Sequence, residues 1–470
     1  MLAGVATDGQ GSELIQMINQ ISRCSICLLL VALVFARTSA QSPPEPVREQ
    51  LLNGLTVLFW QRPDANVLLK LRVHSGAAFD LADKGGTMAL LGDALFPDPA
   101  TREYVAEQLG GKLEVNTSYD AIEITISGKS SEFERLVEFL RGGLVSTPLT
   151  PENVAKIRDA RIKQLSDKQT TSSKADQVIA ARLFGAFPYG HPIGGTIESI
   201  AKIERADLLF ARERFLNADN ATLVVIGGID KARAMRTLRQ LLGPWQKGDR
   251  MVPATFRPPN RADSRVLLVD QSSATTAEIR LAVRGLAQSD RDALAASVLA
   301  RIFRDRWQTL RPDLSSIFVH HEAHSLPGSF VLGASGPTAS AAKAISSAQE
   351  VMRSLAGTGP TPSEVERARG DLLAEIMSQA VKAETIADLW LDADAYKLPG
   401  LNAQLNSIRS LSVGDIQGVA GKLFTNASLA LVVVGDSARL KSSLGENVEL
   451  RSDKADLKTA ADPVMPTKKP

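Results

Sequence analysis

Three of the chain's five histidines, His320, His321 and His324, stand with Glu322 in the stretch FVHHEAHSL (318–326). Imidazole nitrogens and carboxylates are the donors of zinc sites, so metal chemistry is the first possibility to weigh. The spacing argues against it. Neither HExxH nor HxxEH occurs, and the flanks, RWQTLRPDLSSIF before and LPGS then FVLGASG after, read as the first strand of a hairpin. Alternation along a strand puts His320, Glu322 and His324 on one face and His321 on the other. His320 and His324 are then roughly 13 Å apart at Cα, too far to share a zinc bound at about 2 Å. The stretch is expected to be a polar strand face that lines a cavity or meets a partner, with those three groups kept as candidate metal ligands. His74, at a strand end, and His191, in YGHPIGG, are expected in structural roles.

The elements that position such groups come from a duplication. TPENVAKIRDARIKQL (150–165) matches TPSEVERARGDLLAEI (361–376) without gaps at an offset of 211. SIAKIERADLLFARERF (199–215) matches SIRSLSVGDIQGVAGKL (407–423), and ATLVVIGGID (221–230) matches LALVVVGDSA (429–438), both at 208. Three matches in one order at nearly one offset mean two copies of a whole domain. The copies are placed at 48–245 and 263–445, joined by a proline- and charge-rich linker (246–262), with a polar, disordered tail over 446–470. A length of 470 residues agrees with at least two domains. The net charge of +2 is too small to point to a nucleic-acid or membrane-surface partner.

ICLLLVALVFA (26–36), an uncharged apolar run after Arg23, suits a secretory signal cleaved after Ala40, with Met17 an alternative start to Met1. Cys24 and Cys27 both lie inside it, so a mature chain has no cysteine and no Cys-ligated zinc. The protein is expected to be exported, periplasmic or extracellular, and off the membrane once the signal is removed.

Each copy reads as strands followed by helices, an α+β class of two tandem duplicated domains, each a largely antiparallel sheet with helices packed beside it. In the first, LTVLFWQ and VLLKLRVHSGA bracket a RPDAN turn and read as a hairpin; GGTMALLGDALF (85–96) and TREYVAEQLGG (101–111) are helical.

This order of segments resembles the pitrilysin/insulinase (M16) family of zinc peptidases. The resemblance rests on NGLTVLF, HSGAAFD, LGGKLEVNTSYD, FPYGHPIGGTIESI and LVVIGGID in the first copy, and on LRPDLSSIF, GPTPSEVERARGDLLAEI and LVVVGD in the second. It implies half of a clamshell, two such chains enclosing a chamber. It also implies a catalytic helix, G-x-x-H-x-x-E-H-x-L-F, in which two histidines hold zinc and the glutamate activates its water. Here that helix is GTMALLGDALF: the first His becomes Ala89, the Glu becomes Gly92 and the second His becomes Asp93. The third ligand, a Glu on a later helix, falls on Gln164. Ala89 and Gly92 offer no lone pairs and Gln164 only a neutral amide, so no zinc cofactor and no catalytic residue are expected. The resemblance further maps an Arg and a Tyr that reach substrate onto Arg311 and Phe318, and an Asn of the substrate-pairing edge strand onto Glu114.

The function expected is a non-catalytic homologue that pairs with a zinc-bearing sister subunit, or with a second copy of itself, and helps bind unfolded peptide, chiefly through Arg311. The alternative is a structural scaffold that binds no peptide. A third reading is an active metallopeptidase using Asp93 and the 320–324 histidines.

Overall fold

The computed structural model describes residues 42–167, 170–248 and 256–451. The expected signal segment with both cysteines, and the chain end from 452, lie outside those residues. From Glu45 onward the two copies belong to one compact unit, each with its own six-stranded sheet.

The first sheet comprises β1 (Val47–Gln50), β2 (Thr56–Gln61), β3 (Asn66–Val73), β4 (Leu113–Thr117), β5 (Ile122–Lys129) and β6 (Ala221–Gly227), in the order β1-β2-β6-β3-β5-β4. The second comprises β7 (Val266–Asp270), β8 (Thr276–Arg284), β9 (Ser316–Glu322), β10 (Ser329–Pro337), β11 (Ala430–Gly435) and β12 (Val448–Arg451), in the order β12-β7-β11-β8-β10-β9. From β2 and β7 onward the two orders correspond strand for strand. Pairing is antiparallel except at β2–β6, β7–β11 and β7–β12. The expected α+β class with two largely antiparallel sheets is therefore what the chain forms.

Two expectations need correction. β2 and β3 are not a hairpin, because β6 lies between them, parallel to β2 and antiparallel to β3. Every residue of β6 is buried, so both its edges need ladder partners, and insertion between β2 and β3 supplies them. Part of the stretch expected as a disordered tail is ordered: residues 448–451 are β12, paired parallel to β7.

The helices of the first copy are α1 (Thr87–Leu95), α2 (Pro99–Glu107), α3 (Phe133–Val145), α4 (Pro151–Asp167), α5 (Thr171–Phe184), α6 (Ile197–Ala201), α7 (Arg205–Phe215) and α8 (Lys231–Leu241). Those of the second are α9 (Ala293–Leu310), α10 (Ala341–Gly357), α11 (Pro362–Gln379), α12 (Ala383–Ala395), α13 (Leu401–Ser410), α14 (Val413–Phe424) and α15 (Ser437–Leu444). One face of each sheet packs on helices of its own copy and forms a large apolar core. The other face is covered by a helix from the opposite copy. α5 of the first copy lies on β8 and β11, and α12 of the second lies on β3 and β6.

This exchange explains the charged residues in otherwise apolar strands. In β3, NVLLKLRV, Leu69, Leu71 and Val73 enter the first core, and alternation turns Lys70 and Arg72 toward α12. There Lys70 pairs with Asp388, and Arg72 with Asp392 at 2.6 Å and Glu123 at 2.7 Å. On β8 the counterpart is Arg280, only 1% exposed, which meets Asp176 of α5 at 2.5 Å and Glu278 at 3.0 Å. Buried cations persist only when paired, and each is paired across the boundary between the copies.

Candidate functional site

α1 carries the positions where the resemblance expects zinc ligands. All its residues but Asp93 are buried, which an apolar helix of this kind requires. Its N-terminus is Gly86, in the left-handed region at φ +93°, and Asp80 caps it from outside. The Asp80 carboxylate accepts from the N–H of Gly86 at 2.6 Å and of Met88 at 2.8 Å. Burial raises this carboxyl to a pKa of about 7, with the two N–H bonds opposing.

The groups at the expected metal position do not fit a zinc. Ala89 is a buried methyl. At Gly92 a Cβ would lie 2.8 Å from the Thr117 hydroxyl of β4, so a side chain there needs rearrangement. Asp93 is held by Arg161 of α4, whose Nε and Nη2 lie 2.8 and 2.6 Å from one carboxylate oxygen. The same guanidinium donates to the Ala89 carbonyl at 3.3 Å. A cation fixed by a carboxylate and a carbonyl thus stands beside the two emptied positions, where a second cation is disfavoured. Gln164, one turn along α4, is exposed, and the residue of that helix that reaches Asp93 is Arg161. Arg161 was readable in principle. It lies three residues before Gln164, on the same helical face.

Two positions mapped from the resemblance lie in ion pairs. Arg311, onto which the resemblance maps a substrate contact, closes the C-terminal end of α9. It is 7% exposed, bonded by Nε and Nη2 to Asp313 at 2.8 and 2.6 Å, and donates to the Ser340 carbonyl at 3.3 Å. Asp313 is held well below the usual carboxylate range, first by the bond from Arg311 and then by Ser340. Arg311 therefore fastens the end of α9 rather than presenting a free guanidinium. Glu114 does lie on an edge strand, β4, but its carboxylate bonds Lys112 at 3.2 Å, which also pairs with Glu384 of the other copy at 2.7 Å.

The HHEAH stretch falls on β9, the edge of the second sheet, and just beyond it. His320, Glu322 and His324 line a cavity of about 610 Å³ between that sheet and the first copy. Its other walls are α5, through Asp176, Ile179 and Leu183, and the 189–195 loop. His321 points away and accepts from the Leu286 N–H at 3.1 Å. Phe318 lines the cavity too, with the Arg280 guanidinium 4.9 Å from its ring centre and the His320 ring stacked at 5.2 Å. Among the described residues no group of three His, Cys, Asp or Glu is placed to hold a metal ion.

One cluster carries no sequence signal. Asp120, in the β4–β5 turn, accepts from the hydroxyls of Tyr189 at 3.2 Å and Tyr396 at 3.1 Å, and from the Ser325 N–H at 2.8 Å. His324 lies against the Tyr189 and Tyr119 rings, 4.6 and 5.4 Å between centres. Burial depresses the His324 and His191 imidazoles, so both are neutral at pH 7. The hub joins the copies beside the cavity wall at Tyr189 and His324, through residues far apart in the chain.

The fold is two like α+β domains, each a six-stranded sheet with helices. Residues 202–372 match the family described as the peptidase M16 inactive domain. The chain is 24% identical over 442 residues to mitochondrial-processing peptidase subunit beta of Lentinula edodes, covering 87% of this chain and 93% of that protein. It is 26% identical over 216 residues to cytochrome b-c1 complex subunit 1 of Bos taurus, covering 44% of this chain and 43% of that one. A protease from Helicobacter pylori has the same fold, with a TM-score of 0.75 at 16% identity over 83% of this chain and 99% of that one. In sequence and fold the chain is similar to pitrilysin/insulinase (M16) proteins, and these likenesses support a non-catalytic M16-like protein.

Proposed function

We propose that this protein is the non-catalytic subunit of an exported peptidase assembly, pairing with a zinc-bearing sister chain and helping to hold unfolded peptide. The observation that carries the reading is the Arg161–Asp93 pair beside Ala89 and Gly92, a catalytic helix converted to packing. The open edge of β9 and the cavity beside it support a role in binding extended peptide by strand addition. The engagement of Arg311 by Asp313 favours the second reading, a scaffold that binds no peptide, as does similarity to a cytochrome b-c1 subunit.

The test is zinc content and peptide hydrolysis of the mature chain, alone and with a co-purifying M16 chain that carries an intact H-x-x-E-H. The expected result is no stoichiometric zinc and no hydrolysis alone, with hydrolysis by the pair faster than by the sister chain. Stoichiometric zinc with hydrolysis by this chain alone would overturn the proposal. A stable pair whose rate equals that of the sister chain, with no peptide bound by this chain, would favour the scaffold.

A further inference from the structure

The electrostatics of the cavity narrow the kind of peptide, and this inference rests on the peptide-binding reading above. No lysine or arginine lines the cavity among the described residues. Its own carboxylates are Asp176 and Glu322. Behind the walls, Arg280 is shared between Asp176 and Glu278, leaving that trio with one excess negative charge. Arg161, beyond Gly194, is balanced by Asp93. Asp120, behind Tyr189, is met by hydroxyls and an N–H, with His324 at 3.8 Å neutral at pH 7. Glu322 accepts from the Ser329 hydroxyl at 3.0 Å and forms no ion pair among the described residues. A concave surface of this kind has a negative potential and no cation of its own to satisfy it.

The geometry supplies the approach. β9 pairs only with β10 and leaves its other edge without a strand. Phe318, His320 and Glu322 are alternate residues on the cavity side, so a peptide laid along this edge also sends alternate side chains over the cavity. The rings of Tyr119 and His324 line the cavity and supply apolar contact for an alkyl stem.

We propose that the cavity selects a basic side chain, lysine or arginine, of an extended peptide paired along the outer edge of β9, with Glu322 as its counter-ion. The edge gives affinity without regard to sequence, and the cavity gives the preference.

Fluorescence anisotropy with the mature full-length chain tests this, using short extended peptides identical except for lysine, norleucine or glutamate at one position. Norleucine keeps the stem and removes the charge. The lysine peptide is expected to bind about 10-fold more tightly than the norleucine peptide, with the glutamate peptide weakest. Glu322→Gln, a change at an exposed position that leaves the core untouched, should erase the lysine–norleucine difference. Equal affinity for those two peptides, or a lysine preference that survives Glu322→Gln, would overturn the inference while leaving peptide binding intact. Failure of all three peptides to bind would overturn the peptide-binding reading itself.

Discussion

The two copies close their sheets with the same device and different chemistry. Lys70 on β3 meets Asp388 of α12, and Arg280 on β8 meets Asp176 of α5. The strand positions are 210 residues apart and the helix positions 212, so the pairs correspond under the duplication. Arg280 is the more deeply held, 1% exposed and braced by Glu278, Ser172 and the Phe318 ring, whereas Lys70 retains 11% side-chain exposure beside a 40% exposed Asp388. Around the first pair a further set, Arg72–Asp392 and Arg48–Asp394, ties α12 to the sheet. Around the second the 610 Å³ cavity stays open. A single buried arginine with a planar fork holds the helix while leaving room beside it, where the other copy uses several ion pairs and leaves less. The two interfaces thus differ in the space they leave, about 160 Å³ beside the start of α12 and about 610 Å³ beside α5.

The comparison can be broken at its strongest point first. Arg280→Met should cost about 3 kcal/mol of stability, since it strands Glu278 and removes the brace of α5, while Lys70→Met should cost about 1 kcal/mol. Denaturant unfolding of the two variants checks this, and equal losses would show that depth of burial does not separate the copies.

Two aspartates 210 residues apart, each just before the first helix of its copy, sharpen the contrast in pH. Burial without a cation raises Asp80 to about 7. Asp290 is less buried; burial opposes its shift, but the Asp292 N–H and Lys422 outweigh it and lower the carboxyl. The signs are therefore opposite. Asp80 is protonated in the folded state before it is in the unfolded chain, so its contribution is complete below about pH 4 and is lost as pH rises through about 7. Asp290 contributes above its unfolded value and loses that contribution as pH falls through its lowered one. Between pH 5 and 7.5 Asp80 should remove about 2 kcal/mol, and Asp80→Asn should flatten that part of the curve. Asp290→Asn should leave it unchanged and soften the loss below pH 4. A wild-type curve that rises over pH 5–7.5 and keeps its slope in Asp80→Asn would contradict the assignment.

The emptied helix offers a third test. Restoring Ala89→His, Gly92→Glu and Asp93→His together should cost about 2 kcal/mol through overpacking against Thr117 and its neighbours. Metal analysis should still find no stoichiometric zinc while Arg161 remains, and uptake should rise when Arg161→Ala is added. Stoichiometric zinc in the triple variant alone would mean that the arginine does not guard the position. The smallest effect is expected at the hub, where Tyr396→Phe loses one hydrogen bond to Asp120 and about 1 kcal/mol, read as a lower thermal midpoint.

Much of the molecule was legible from residue order. The duplication, the strand carrying HHEAH and its alternating faces follow from local pattern, since period is a property of the chain itself. The β2–β3 hairpin was misread for a definite reason. Sequence neighbours pair by default, and nothing local announces that a strand 150 residues later will slide between them. The partner of Arg311 was equally illegible, because its spacing to Phe318 says nothing of the bond to Asp313 two residues on.

What the sequence determined by itself is the existence of two like domains and their α+β class. What only the tertiary structure decided is which groups meet: Arg161 with Asp93, Asp120 with Tyr189 and Tyr396, Arg280 with Asp176, and His320 and Glu322 with a wall of the other copy. These pairs are separated by tens to hundreds of residues. A chain's local preferences fix the faces of its elements, but only the exchange of α5 and α12 between the sheets brings those faces together.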